Sequence, residues 1–242
     1  MSAPKRFFVE RIEEETLLEG EEFEHAKNVL RLAVGDEVVL LDNSGKEYAA
    51  VIAAVGKRNM KLHVLKVNEG DREAATEVAL LFGYLKNADK NEFIVQKAVE
   101  LGVKKLIAFS SFMNLNKLER LNKISRESAK QCLRSVAPEV TYCEHLKDAL
   151  AEVCGYKNKL FACEFAKRSE TDISKLFGST ALVVGSEGDF RARKRNSRRR
   201  WDFPLSRWEN VFCARKPPRR RLRRSPCFRW ESWESRKKKT IG

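Results

Sequence analysis

Between residues 5 and 70 the apolar positions fall in short runs separated by turn-forming residues. These are RFFVERI, then VVLLDNSGKEYAAVIAAV broken at Asn43, Ser44 and Gly45, then MKLHVLKV with alternating apolar positions. Runs of this length and period predict short strands, because successive strand side chains point to opposite faces. One short helix interrupts them at about residues 21–31. The set predicts a small β-barrel over residues 1–70, with Glu69, Gly70 and Asp71 as a linker.

From Val78 the pattern changes. The apolar runs VALLFGYL, KLIAFSS, KLFACE and ALVVGSEG alternate with longer stretches such as NEFIVQKAVELG and LERLNKISRESAKQCLRSVA. Strands alternating with helices predict an α/β domain with a mostly parallel sheet, spanning residues 74–190. The first of these helices is expected near residues 90–101, with Asp89 as N-cap, Glu92 three residues on and Gly102 as its stop. The second places Leu118, Leu121, Ile124, Cys132 and Val136 near one face.

Composition divides the chain again. All four tryptophans and 20 of the 48 lysines and arginines lie after Phe190, where only Asp202, Glu209, Glu231 and Glu234 oppose them. The net charge of +14 is therefore a property of residues 191–242, and the body before them is close to neutral. Any RNA-binding face on the body must be a local patch. The N-terminus has no apolar signal region and no run approaches the roughly 18 apolar residues of a membrane span, so a cytoplasmic protein without membrane contact is expected. Cys132, Cys143, Cys154 and Cys163 form no CxxC pair, which predicts reduced thiols and no metal site.

GSEG at 185–188 ends the run ALVV, where an α/β strand delivers the chain to a ligand, and its glycines permit close backbone approach. A strand-ending glycine turn is also a common structural device. Together with QKAVELGV (Gln96–Val103), AKQCLRSVAP (Ala129–Pro138), RFFV (Arg6–Val9) and VLRLAVGD (Val29–Asp36), each in its expected place along the chain, the motif resembles the bacterial 16S ribosomal RNA uridine N3-methyltransferases. The resemblance covers residues 5–190. It implies a PUA-like N-terminal β-barrel followed by a SPOUT (α/β trefoil-knot) methyltransferase domain, S-adenosylmethionine as methyl donor, 16S rRNA or the small ribosomal subunit as substrate, and a homodimer. The knot is one of the rare exceptions to unthreaded chains. The family reads GPEGGF where this chain has GSEGDF, with Ser186 for Pro and Asp189 for Gly.

The family continues with LGKRILRAETA, which would complete the knot and the cofactor pocket, whereas this chain continues RARKRNSRRRW. The genetic code supplies a reason. If each codon from Trp208 to Pro218 is replaced by the last base of its predecessor and its own first two bases, Glu209 forces Gly and Cys213 forces Leu. The other positions permit the rest of LGKRILRAETA in order. Trp230–Ser235 permits LGELGE in the same way. Residues from about 190 onward are thus expected to be read from a displaced frame, to stay outside the fold, and to leave the chain without a complete cofactor pocket.

For the site, the resemblance points to Leu182, Gly185, Glu187 and Gly188 for the cofactor, and to Gln131 and Arg134, three apart on one helix, as substrate-facing. Arg134 would be the cation stabilising the uracil anion, or else a surface ion pair. Glu100 is a base or orienting acid, or else an ordinary helix carboxylate. Lys130 and Leu133 stand where the family usually has an acid and a glycine. RNA contact is expected at Lys5, Arg6, Arg31, Lys86 and Lys90, and His25 falls where the resemblance expects a histidine. The competing reading is a non-catalytic RNA-binding protein whose basic, tryptophan-bearing tail holds phosphates and stacks on bases.

Overall fold

The computed structural model of the protein describes residues 4–110, 113–162 and 176–185. Its first sheet contains β1 (Lys5–Phe8), β2 (Glu15–Glu19), β3 (Glu37–Leu41), β4 (Lys46–Val55) and β5 (Asn59–Glu69), in the order β1-β3-β4-β5-β2. β1 runs parallel to β3 and the other pairs are antiparallel. Register shifts at Ala49/Ala50 and Ile52/Ala54 bend the β4–β5 ladder. The sheet curls around Phe7, Leu18, Leu40, Ile52, Met60 and Leu62.

The β3–β4 turn falls at the predicted residues. The Asp42 carboxylate accepts from the Ser44 amide at 3.0 Å and its hydroxyl at 2.5 Å, while Asn43 and Gly45 take the left-handed φ values of +62° and +91°. Strand β2 was not among the predicted strands. It turns only Thr16 and Leu18 inward from ETLLE, too few apolar positions to register as a run. The predicted helix is divided into α1 (Gly20–Glu24) and a π-helical turn, His25–Val29. His25 packs there edge-on to Phe7 at 6.4 Å.

The second sheet is wholly parallel. Its strands are β6 (Val78–Gly83), β7 (Lys105–Phe109), β8 (Val140–Cys143), β9 (Asn158–Ala162) and β10 (Thr180–Val184), in the order β8-β7-β6-β10-β9. The helices are α2 (Ala88–Glu100), α3 (Leu115–Gln131) and α4 (Leu146–Ala151). One face of the sheet is covered by α2 and α3, through Val95, Val99, Leu121 and Ala129, and the other by α4, through Ala149 with nearby Val153.

Helix α2 begins two residues earlier than predicted. Its N-cap is Asn87, whose side chain accepts from the Lys90 amide at 3.2 Å, and Asp89 lies within the first turn. Gly102 ends it as expected, with φ +81°. In α3, Leu121 is buried and Leu118, Ile124 and Cys132 pack against the same core, but Val136 lies past the helix end. Phe8, Val39 and Leu41 of the first sheet join that core, so the two parts share apolar packing.

Candidate functional site

The strand order reverses between β6 and β10, since β7 and β8 extend the sheet on one side and β9 on the other. At such a switch the loops leaving neighbouring strands diverge and open a crevice beyond the carboxyl ends. Val184 is paired with Phe82 there, so Gly185 emerges beside Gly83 and the loop after β6. The strand-ending glycine predicted as a ligand loop is therefore at the switch point. Leu182 is different, because its main chain lies inside the sheet, in register with Leu80 on β6 and Leu160 on β9. Glu187, Gly188, Ser186 and Asp189 lie outside the described residues, as do the segments that would close a knot and the whole of residues 191–242.

The loop between β6 and α2 is held by Asn91, which motif reading missed. Asn91 is fully buried; its Oδ1 accepts from the Leu85 amide, and its Nδ2 donates to the Leu85 and Asn87 carbonyls, all at 2.8 Å. Three bonds from one buried amide tie the turn to the first turn of α2. Asn91→Leu should destabilise the protein by about 3 kcal/mol, since it strands buried donors and acceptors together. Urea unfolding followed by circular dichroism reads this, and a change within error would show that the loop re-forms its bonds elsewhere. The signal available beforehand was an asparagine amid the apolar positions of an amphipathic helix.

Lys86 and Lys90 are exposed at this same end of the sheet, on the loop and first turn of α2. Lys117, in the first turn of α3, places its ammonium 5.5 Å from the centre of the Tyr84 ring. Helices α2 and α3 both start here, so their positive dipole ends accompany the lysines.

Glu100, Gln131 and Arg134 do not join them. Helices of a parallel sheet run back against the strands, so the ends of α2 and α3 lie by the amino ends of β7 and β8. A strand of five residues separates the two edges by roughly 16 Å at ~3.3 Å per residue. Glu100 closes α2 and pairs with Lys97 at 2.6 Å, while Gln131 closes α3 and is exposed. Arg134 is buried to 4% exposure. It donates from Nη1 to the Val99 and Val103 carbonyls at 3.0 and 2.9 Å, and from Nη2 to Glu73 at 2.7 Å. Neither an exposed surface pair nor a cation open to substrate describes it.

Among the barrel residues, Lys5 and Arg31 are exposed. Arg6 is not, since its side chain is only 8% exposed and pairs with Glu47 at 2.5 Å. Arg31 has φ +55° where the π-helical turn ends, and Leu133 has φ +62° just past α3. The second value explains why glycine suits that position in the family. Leu133→Gly should relieve roughly 1 kcal/mol of left-handed strain, visible as a higher urea midpoint. A lower midpoint would mean that the half-buried leucine side chain contributes more than the strain costs.

An open groove of about 2160 Å³ lies between the first sheet and α3. Its wall carries ten glutamates, including Glu10, Glu13, Glu19 and Glu139, against Arg11, Arg120, Lys123 and Arg126. Such a surface repels phosphate. The nucleic-acid side of the protein is better sought at the lysine-bearing carboxyl edge.

Residues 72–204 match the model of an RNA methyltransferase domain, and residues 18–65 that of an RNA methyltransferase PUA domain. The ribosomal RNA small subunit methyltransferase E of Bacillus subtilis is 30% identical over 207 residues, covering 76% of this chain and 80% of that protein. The chain belongs to the ribosomal RNA small subunit methyltransferase E family. The family protein of Rickettsia conorii is 26% identical and covers 69% of each chain. Among solved structures, the family member from Neisseria gonorrhoeae bound to S-adenosyl methionine superposes with a TM-score of 0.71 over 91% of this chain and 92% of that one, at 20% identity. A methyltransferase from Legionella pneumophila in complex with the same cofactor reaches 0.73 over 92% of each chain, at 21% identity. The fold is accordingly a PUA-like curled sheet followed by a SPOUT-type α/β methyltransferase domain.

Proposed function

We propose that the chain derives from an enzyme that transfers a methyl group from S-adenosylmethionine to N3 of a uridine in 16S rRNA, in the cytoplasm and as a homodimer. The observation that carries this reading is the emergence of Gly185 at the switch point, beside a pinned, lysine-bearing loop, in a chain of this family. The described residues fit one wall of a cofactor site. Gly185 places no side chain between its backbone and a ligand, and by the resemblance Glu187 and Gly188 continue that wall, with Leu182 supporting it from within β10.

When bound, S-adenosylmethionine would supply an electrophilic methyl. Uridine N3 carries a proton at neutral pH and is a poor nucleophile, so the protein must stabilise the anion that forms as the proton leaves. The cations available at this edge are Lys86 and Lys90, which would attract the uracil carbonyl oxygens or the adjacent phosphates. Arg134 is held by Glu73 and two carbonyls and is assigned no part in this step. N3 lies in the Watson–Crick edge, so the base must be single-stranded or flipped out. Exposed Leu115 and Val184, on the carboxyl side of the sheet, support an association face for a second copy.

The test uses radiolabelled S-adenosylmethionine and small-subunit RNA, with the downstream reading frame restored. Label in the RNA together with a reverse-transcription stop at one uridine is expected, because a methyl on N3 blocks base pairing. Label without a stop would overturn the N3 assignment, and RNA retention without any label would favour the non-catalytic RNA-binding reading. Replacing Lys86 and Lys90 by alanine should weaken RNA binding and flatten its logarithmic salt dependence by about one unit per lost phosphate contact. An unchanged slope would place the RNA elsewhere.

A further inference from the structure

The segment from Lys130, in the last turn of α3, to Ala137, before β8, grips four separate parts of the chain. The Lys130 ammonium reaches both oxygens of Glu22, beside the first sheet, at 3.0 and 3.1 Å. Arg134 holds Glu73, in the stretch between β5 and β6, through Nε and Nη2, and the Val136 amide donates to the same carboxylate at 3.2 Å. The other nitrogen of Arg134 binds the carbonyls of Val99, in the last turn of α2, and Val103, between α2 and β7. The Ala137 amide donates to the Asn43 side chain, in the β3–β4 turn, at 2.9 Å.

The contact is also sterically tight. Gly70 donates to the Gly45 carbonyl at 2.9 Å, and a Cβ at position 70 would lie 2.3 Å from that oxygen and 2.5 Å from the Ser135 hydroxyl. Ser135 is fully buried. Joined domains normally shift against each other unless their interface is large and apolar or otherwise fixed. Here a shared apolar core is joined by directional bonds, and the Arg134 guanidinium ties Glu73, in the stretch that joins the two sheets, to the end of α2.

We propose that Lys130–Ala137 is an orientation lock, and that Arg134 is a positioning residue which sets the angle between the curled sheet and the parallel sheet. Its charge neutralises Glu73 while its fork ties that carboxylate to the turn that starts β7. Lys130, replacing the family's usual acid, adds a second tie to Glu22. The lock itself is independent of the methyl-transfer reading; its bearing on catalysis rests on that reading, through the distance from a barrel-bound RNA to Gly185.

Hydrogen exchange followed by mass spectrometry on the full chain tests the lock, with Arg134→Met, Arg134→Lys and Glu73→Gln compared to the parent. In Arg134→Met and Glu73→Gln, peptides containing Gly70, Val136 and Ala137 should lose about tenfold or more protection beyond any loss in β3, β4, β6 and β7. Arg134→Lys should fall between, because lysine keeps the charge but not the fork. Unchanged exchange at the seam would overturn the lock. Protection lost equally through β6 and β7 would also overturn it, by making Arg134 an ordinary stabilising residue of its own domain. Should Arg134→Met fail to fold, the other two variants give the same reading. RNA affinity supplies the link to function: Glu73→Gln should lower it severalfold at an unchanged salt slope, since no phosphate contact is removed, and a changed slope would contradict positioning.

Discussion

S-adenosylmethionine titrated calorimetrically into this chain should give no saturable heat, and the chain with its downstream reading frame restored should bind it. The difference lies in the residues after Gly185. A pocket at a switch point needs walls from both diverging loops, and the wall that the resemblance assigns to LGKRILRAETA is written here as WENVFCARKPP. Glycine at 185 offers backbone approach, but one wall encloses nothing. The effect is all-or-none in practice, beyond a hundredfold or about 2.7 kcal/mol. Equal binding by both proteins would show that the residues after 190 complete the pocket as they stand. Binding by neither would turn attention to the non-catalytic reading, in which a tail carrying 20 basic residues dominates RNA affinity.

The largest stability loss is expected at Arg134. Arg134→Met leaves the Glu73 carboxylate half-buried without its cation and frees the Val99 and Val103 carbonyls, so unfolding free energy should fall by about 3–5 kcal/mol. Glu73→Leu in the same protein should recover a substantial part, because the stranded charge is removed along with its absent partner. The two single variants and the double variant, compared by denaturant unfolding, give the coupling directly. Additive losses, with coupling near zero, would show that the pair contributes little and that packing alone holds the seam. A surface pair such as Arg11–Glu13 should by contrast be lost with a change well below 1 kcal/mol.

Much of this fold could be read in advance because apolar periodicity reports burial. The runs VALLFG, KLIAF and, up to Val183, ALV are buried or half-buried on both faces of a parallel sheet, and such strands read as unbroken apolar segments. Elements with few inward positions escaped. Strand β8 has only VTYC, with Val140 fully buried, and α4 is six residues long. Exposure was legible at Lys86 and Lys90, where charge at a strand's end reports it, as was the end of a strand before Gly185. The site was misread at Arg134, because a sequence does not reveal which distant carboxylate an arginine will meet; Glu73 lies 61 residues away. Arg6 and Glu47, 41 residues apart, make the same point.

Strand β10 is the last described strand in sequence, yet it sits between β6 and β9 and bonds to both. During synthesis from the N-terminus, its neighbours emerge first and face each other across a missing member. The nascent sheet therefore has two open interior edges, at β6 and at β9, until Thr180–Val184 leaves the ribosome. A chain terminated or cleaved before residue 180 would carry both edges into the cell. Such fragments should pair with one another and form inclusion bodies, whereas a chain stopped just after Gly185 keeps the strand that seals them.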